Sequence, residues 1–247
     1  MPGDPTIGAI LQARVGSTRL PGKVLKVVSG RSVLYHDIDR LLQVRHIGHV
    51  IVATTDLPED QTIVDLTESY GRGVEVFRGS PEDVLDRFYQ AARKWRLDAV
   101  LRVTSDCPLF DPDVSSIVVD RFLLGDCDLA CNNMPRTYPH GLDTEVFSFD
   151  ALAEAWTTGR DPYEREHVTP YIRRRPERFR LVNVPYGEDL GHVRLTLDYP
   201  EDLELISRIY AELYREGEVF HLDDVLAVLK EKPYLLEINK MRVEVPK

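Results

Sequence analysis

The stretch QARVGSTRLPGK at positions 12–23 holds three cations, Arg14, Arg19 and Lys23, among Gly16, Ser17, Thr18 and Gly22. Glycine lets a backbone approach a ligand closely, and successive backbone N–H groups can form a nest for an anion. Guanidinium groups fork onto phosphate oxygens, and an ammonium adds a mobile point charge. Together these groups suit a triphosphate. The spacing is not that of the G-x-x-x-x-G-K-[ST] loop, because Gly16 and Gly22 are too far apart and Val24 follows Lys23. The dinucleotide pattern G-x-G-x-x-G is absent too.

Two acids stand out further along. Asp106 sits just past an apolar run, after Ser105, and lies two residues before Pro108. An acid at the carboxyl end of a strand faces the ligand crevice of an α/β sheet. Mg²⁺ prefers one or two carboxylates with substrate phosphates and water, and Asp106 suits that role. Asp198 has the same relation to Pro200, but read alone it is equally a turn or cap residue ahead of a helix. Residues 136–145 are rich in groups that can hold sugar hydroxyls: Arg136, Tyr138, His140, Asp143 and Glu145. Arg165, Glu166 and His167 form a second such cluster. Arg173, Arg174 and Arg175 read as a solvated helix end stopped by Pro176.

These groups need a scaffold, and the periodicity supplies one. Apolar runs at 6–12, 48–55, 74–77 and 98–104 alternate with helical patterns at 32–44, 59–70, 81–95 and 111–124. Ser80 is the expected N-cap of the third helix, and Pro112 the first-turn residue of the fourth. Such alternation predicts βαβ units and a mostly parallel sheet, with ligands at the carboxyl ends of the strands. Beyond residue 126 the expected strands are 129–132, 143–149, 180–185 and 192–198. The expected helices there are 149–157, 164–175, 201–216 and 222–230.

The 247 residues are 43% hydrophobic and 29% charged, which predicts one globular α/β domain with at most a small subdomain or flap. A net charge of −10 disfavours a nucleic-acid partner. Cys107, Cys127 and Cys131 are too few and too poorly spaced for a disulfide framework or a zinc site, and read as small buried hydrophobes. No signal pattern and no run of membrane-spanning length is expected, which makes the cytoplasm the default location and leaves no membrane partner.

The 12–23 stretch resembles the N-terminal signature of the cytidylyltransferases that make CMP-activated sugars, such as CMP-Kdo synthetases and acylneuraminate cytidylyltransferases. It is most similar to their SpsF-like branch, of the spore-coat polysaccharide type. The resemblance continues in order through VATT (52–55), RGS (78–80), DVLDR (83–87), RVTSDCPL (102–109), YPHGLDTE (138–145), REHVTP (165–170) and LDYPEDL (197–203). It implies a nucleotide-diphospho-sugar transferase type of α/β fold, Rossmann-like, in one domain over 1–247. The nucleotide-binding half would span about 6–125, a sugar-binding and oligomerisation half 126–220, and a tail 221–247.

The implied reaction is transfer of CMP from CTP to a sugar, with release of pyrophosphate. Asp106 and Asp198 would hold Mg²⁺, with Arg14, Lys23 and Asp106 as the catalytic groups. Gln12, Ala13, Arg14, Gly16, Ser17, Arg19, Lys23, Thr54 and Ser80 would bind the nucleotide, and the sugar would take Arg136, Tyr138, His140, Asp143, Glu145, Glu166 and His167. Related synthetases are commonly dimers, so the resemblance implies a homodimer. The alternatives are a same-fold enzyme using another nucleotide and a non-catalytic nucleotide-binding protein. A glycosyltransferase would carry an Asp-x-Asp pair where this chain has Asp106-Cys107-Pro108.

Overall fold

Alternation along the first strand, β1 (Ile7–Gln12), decides the layering. Ile7, Ala9 and Leu11 pack into one hydrophobic cluster and Ile10 into another. A strand buried on both faces needs helices on both sides of its sheet. The computed structural model, which describes residues 5–71 and 73–243, has that architecture. A small hairpin of β2 (Val27–Val28) and β3 (Arg31–Ser32) follows β1 and leads into α1 (Val33–Leu41). Then come β4 (Ile47–Thr55), α2 (Gln61–Tyr70), β5 (Val74–Gly79), α3 (Val84–Lys94), β6 (Ala99–Thr104) and α4 (Pro112–Phe122). The second half contributes β7 (Leu129–Cys131), β8 (Glu145–Ser148), α5 (Phe149–Thr158), α6 (Pro162–His167), α7 (Pro170–Arg173) and β9 (Leu181–Asn183). It closes with α8 (Pro200–Leu213) and α9 (Leu222–Glu231).

The main sheet has seven strands in the order β5-β4-β1-β6-β8-β7-β9. β4 and β6 flank β1 in parallel, β5 is parallel to β4, and β9 is parallel to β7. Only β8 runs against its neighbours. The expected mostly parallel sheet is therefore present, and the strands after residue 126 extend the same sheet. Among the described residues no helix is long and apolar enough to cross a membrane.

A third hydrophobic cluster lies beyond the carboxyl end of the sheet. It joins Leu20 of the first loop, Leu109 after β6 and Leu195 and Leu197 before α8 to Leu205, Ile209 and Leu229 of the last helices. These helices clamp the loops that the sequence singles out.

Three local expectations are corrected. Ser80 is not the N-cap of α3. Asp83 caps it, accepting from Asp86 N at 2.9 Å, while the Ser80 hydroxyl accepts from the N–H groups of Glu82 and Asp83 in the preceding turn. The helix expected over 164–175 is two short ones, broken at Val168, whose φ of 71° lies outside the helical region, and restarted by Pro170. Residues 192–198 are extended but form no ladder. Their one bridge joins Arg194 to His140, and their other bonds go to loops and to Asp202 of α8.

That extended segment passes close over Gly141. Gly141 has φ +113°, and a Cβ there would lie 2.7 Å from the Leu195 carbonyl carbon and the Thr196 nitrogen. Both the backbone conformation and the contact demand glycine. Gly141→Ala is expected to lower unfolding free energy by about 3 kcal/mol or more, read from the urea midpoint. An unchanged midpoint would mean that the segment is not packed as described.

Candidate active site

The loop after β1 folds around one carbonyl. Val15 O accepts from Ser17 N at 2.8 Å and from Gly22 N at 3.1 Å. Asp60, almost fully buried, holds the loop from below by accepting from Val15 N at 2.7 Å and from the Thr55 hydroxyl. Gly22 takes the left-handed conformation at φ +65° and starts a 3-10 turn, Lys23–Leu25, anchored by buried Val24. With the loop so fixed, the N–H groups of Arg14, Gly16, Thr18 and Arg19 donate to nothing among the described residues. Gly16, Ser17, Thr18, Arg19 and Lys23 line one pocket together with Gln12, Arg14, Ser105, Asp106 and Asp198. Free N–H groups and cations on the residues around one concavity suit an anion.

At the floor of that pocket, Lys23 Nζ donates to Asp106 Oδ2 at 2.9 Å and to Asp198 Oδ1 at 3.0 Å. Burial opposes the charge on Lys23, but the two carboxylates outweigh it and hold the ammonium above its ordinary pKa. Burial likewise pushes Asp106 up. The Lys23 charge and the Thr104 hydroxyl outweigh that and keep its carboxyl below the usual range. Asp198 also accepts from Arg194 Nη2 at 3.1 Å and lies 3.5 Å from Arg19 Nη1. Its backbone is set by Asp202, whose fully buried carboxylate accepts from the N–H groups of Asp198 and Tyr199 and from Arg194.

A second pocket shares Gln12, Arg14, Arg19, Thr104, Asp106 and Asp198 with the first and opens toward α6 and α7. Its deep wall is built on charge pairs. Glu145, buried at the start of β8, takes Arg102 Nη1 at 2.8 Å, Arg173 Nη1 at 3.2 Å and the Thr169 hydroxyl at 2.9 Å. Arg136 and Asp143 form a two-bond fork. Burial lowers the pKa of His140 and so favours its neutral imidazole. Gln12 Oε1, Asn133 Oδ1 and Arg102 Nε are buried polar atoms with no partner among the described residues. A polyhydroxylated ligand can satisfy all three.

A phosphate cradle and a polyol-type pocket thus meet at Asp106 and Asp198. A family model described as Cytidylyltransferase matches residues 8–234. The chain belongs to the cytidylyltransferase family. It is 31% identical over 238 residues to the spore coat polysaccharide biosynthesis protein SpsF of Bacillus subtilis, covering 91% of this chain and 94% of that one. It is 38% identical over 234 residues to protein MJ1063 of Methanocaldococcus jannaschii, covering 93% of each. The solved structure of a cytidylyltransferase from Leptospira borgpetersenii serovar Hardjo-bovis, 33% identical, matches with a TM-score of 0.89 over 94% of this chain and 97% of that one. The fold is the nucleotide-diphospho-sugar transferase type.

Within this member of the family, the expected residues do not all reach the cleft. Gln12, Arg14, Gly16, Ser17, Arg19, Lys23, Asp106 and Asp198 line the phosphate pocket, and Arg136, His140, Asp143, Glu145, Glu166 and His167 line the second. Ala13 is buried at the loop's base, its N–H bonded to Ala53 O. Thr54 is fully buried, and Ser80 serves its turn; neither lines these two pockets. Tyr138 lines neither pocket: it is buried in the third cluster, its ring centroid 5.0 Å from that of Tyr186. Arg165 is tied to Asp83. Arg173 is not a solvated helix end, since its pairing with Glu145 turns it into the second pocket.

Arg102, Asn133, Tyr163 and Thr196 were not anticipated as lining residues. Arg102 carries a signal, being a charge in the middle of the apolar strand β6. Asp37 on α1 carries none. It is completely buried, and neither oxygen has a partner among the described residues. Burial first, and then the charge of Asp106, push its pKa well above the ordinary range.

Two measurements check this electrostatic scheme. Glu145→Ala strips the counter-charge from two guanidinium groups, and should cost about 3 kcal/mol in urea unfolding. Loss of less than about 0.5 kcal/mol would mean that water already compensates them. An acid with a raised native pKa binds its proton more tightly folded than unfolded, so its contribution to stability is full at low pH and declines as pH rises above the unfolded value. Asp37→Asn removes that decline. Relative to the parent protein, the variant should be more stabilised, or less destabilised, at pH 8 than at pH 5. The opposite ordering would show Asp37 to be ionised.

Proposed function

We propose that the protein transfers CMP from CTP to a sugar and releases pyrophosphate, in the making of a surface polysaccharide or glycan. The observation that carries this reading is the meeting of the two pockets on Asp106 and Asp198. A triphosphate seated on the first loop presents its α-phosphate there, and a sugar in the second pocket presents a hydroxyl to the same point. The sugar oxygen attacks the α-phosphorus in line, and the bond to the pyrophosphate oxygen breaks. Arg14, Arg19 and the free N–H groups of the loop take the charge that builds on the departing phosphates. Such pre-aligned donors act most strongly where charge develops. Arg136, Asp143, His140, Glu166 and His167 orient the sugar, and the Glu145 carboxylate keeps Arg102 and Arg173 in place behind it.

Mg²⁺ is the cofactor this reading calls for. The donor set fits it, because two carboxylates converge closely enough for one cationic atom to bond both, and they line the same pocket as the loop at 16–19. Asp106 and Asp198 would hold the ion. When bound it would neutralise phosphate charge and favour loss of the proton from the attacking hydroxyl. On the family resemblance the working enzyme is a cytoplasmic homodimer, and light scattering tests the dimer.

Pyrophosphate release should require a divalent cation and an acceptor sugar, and should run faster with CTP than with ATP, GTP or UTP. CTP should also raise the melting temperature more than the other nucleotides do. Asp106→Asn should retain the fold and lose roughly two to three decades of turnover. Equal shifts with all triphosphates would sink the cytidylyl assignment. Near-parental turnover by Asp106→Asn would remove Asp106 from the chemistry.

A further inference from the structure

The acid pair is already neutralised by the chain's own cations. Asp106 and Asp198 share Lys23 Nζ, Asp198 also meets Arg194 and Arg19, and Arg194 is shared with Asp202. Three carboxylates therefore face three cations in one cluster. The atom on which the two candidate metal ligands converge is the Lys23 ammonium itself, only 14% of that side chain being exposed. A divalent ion arriving alone would add two positive charges to a balanced cluster and would have to evict a well-bonded ammonium. An ion arriving with a triphosphate brings an excess of negative charge instead. It also offers Lys23 new acceptors, because Lys23 lines the same pocket as Gly16, Ser17, Thr18 and Arg19. The exchange needs only side-chain motion. Val24 is buried beside Lys23 and fixes the backbone, while the lysine stem is flexible.

We infer that Lys23 is a built-in counterion for Asp106 and Asp198, and that the site accepts its metal as a complex with the triphosphate and rejects the free ion. The inference rests on the proposed nucleotidyl transfer for the identity of the triphosphate. Lys23 then has two stations. It bonds the carboxylates first, and the phosphate oxygens once the metal–nucleotide complex has taken its place. The site is therefore selective for a ligand class, the chelate, and Lys23 sets that selectivity.

The test titrates the full-length protein with Mn²⁺ and counts free ion by electron paramagnetic resonance, with and without CTP. Wild-type protein should bind Mn²⁺ alone weakly, and about tenfold or more tightly with CTP present. Lys23→Met, which leaves the cluster one positive charge short, should bind Mn²⁺ alone about tenfold or more tightly than wild type, the modest end of what a unit charge at this separation is worth. Adding Asp106→Asn to that variant should abolish the increase. Wild type and Lys23→Met binding Mn²⁺ alone with equal strength would overturn the inference. If Lys23→Met fails to fold, the ¹⁵Nζ resonance of Lys23 in wild type decides. It should ignore Mg²⁺ alone and shift on addition of Mg²⁺ with CTP, whereas a shift with Mg²⁺ alone overturns the inference. A tighter Lys23→Met with no response to CTP in either protein would uphold the counterion and count against the nucleotide reading.

Discussion

One carbonyl oxygen holds the site together. Asp106 O accepts the Leu197 N–H at 2.7 Å and the Thr196 hydroxyl at 3.0 Å. By this contact the turn after β6 captures a segment more than ninety residues further along, and the two acids arrive side by side. Neither bond forms unless Gly141 lets residues 192–198 pass close overhead, and unless α8 and α9 press that segment down through Leu195 and Leu197. The apolar packing beyond the end of the sheet therefore fixes the position of two charges. Packing density makes such a constraint stiff, because an interior without voids transmits displacement rather than absorbing it.

The charges are arranged so that an acidic protein can hold a polyanion. Net charge acts over long range and is screened by salt, whereas a pocket responds to the groups that face it. Here most of the cleft cations are held by buried or half-buried acids. Glu145 spaces Arg102 and Arg173, Asp143 aligns Arg136, and Asp202 orients Arg194. The pairs fix geometry more than they add stability, since burying ions costs much of what their attraction returns. Arg14, by contrast, is exposed and has no carboxylate partner among the described residues.

The nucleotide half was legible because its signals are local. Alternation in β1, the glycines and cations at 12–23, and an acid two residues past an apolar strand each fit within a dozen residues. The second half depends on contacts that no window contains. Residues 192–198 read as a strand because Val193, Leu195 and Leu197 alternate and are buried. The N–H groups of Leu195 and Leu197 go to the His140 and Asp106 carbonyls and that of Val193 to Leu190 O, so a β-like pattern arises without a sheet. Arg173 looked solvated because the charged run at 173–175 hides the Glu145 that faces it from β8. Tyr138 looked like a ligand group because its neighbours are polar, while its ring serves the core. Asp37 gave no sign, since an acid on a helix is ordinary unless the neighbouring elements bury it.

The cleft's division of labour has an evolutionary corollary. Apart from Arg102, Cys107 and Thr196, the residues that line the second pocket and not the first come from one continuous stretch, 133–173. That stretch contributes nothing to the phosphate loop. On the proposed function, a lineage that keeps Gly141 can rewrite its acceptor chemistry within these forty-one consecutive codons, by mutation or by recombination at the ends of that stretch, while the activating half stays as it is.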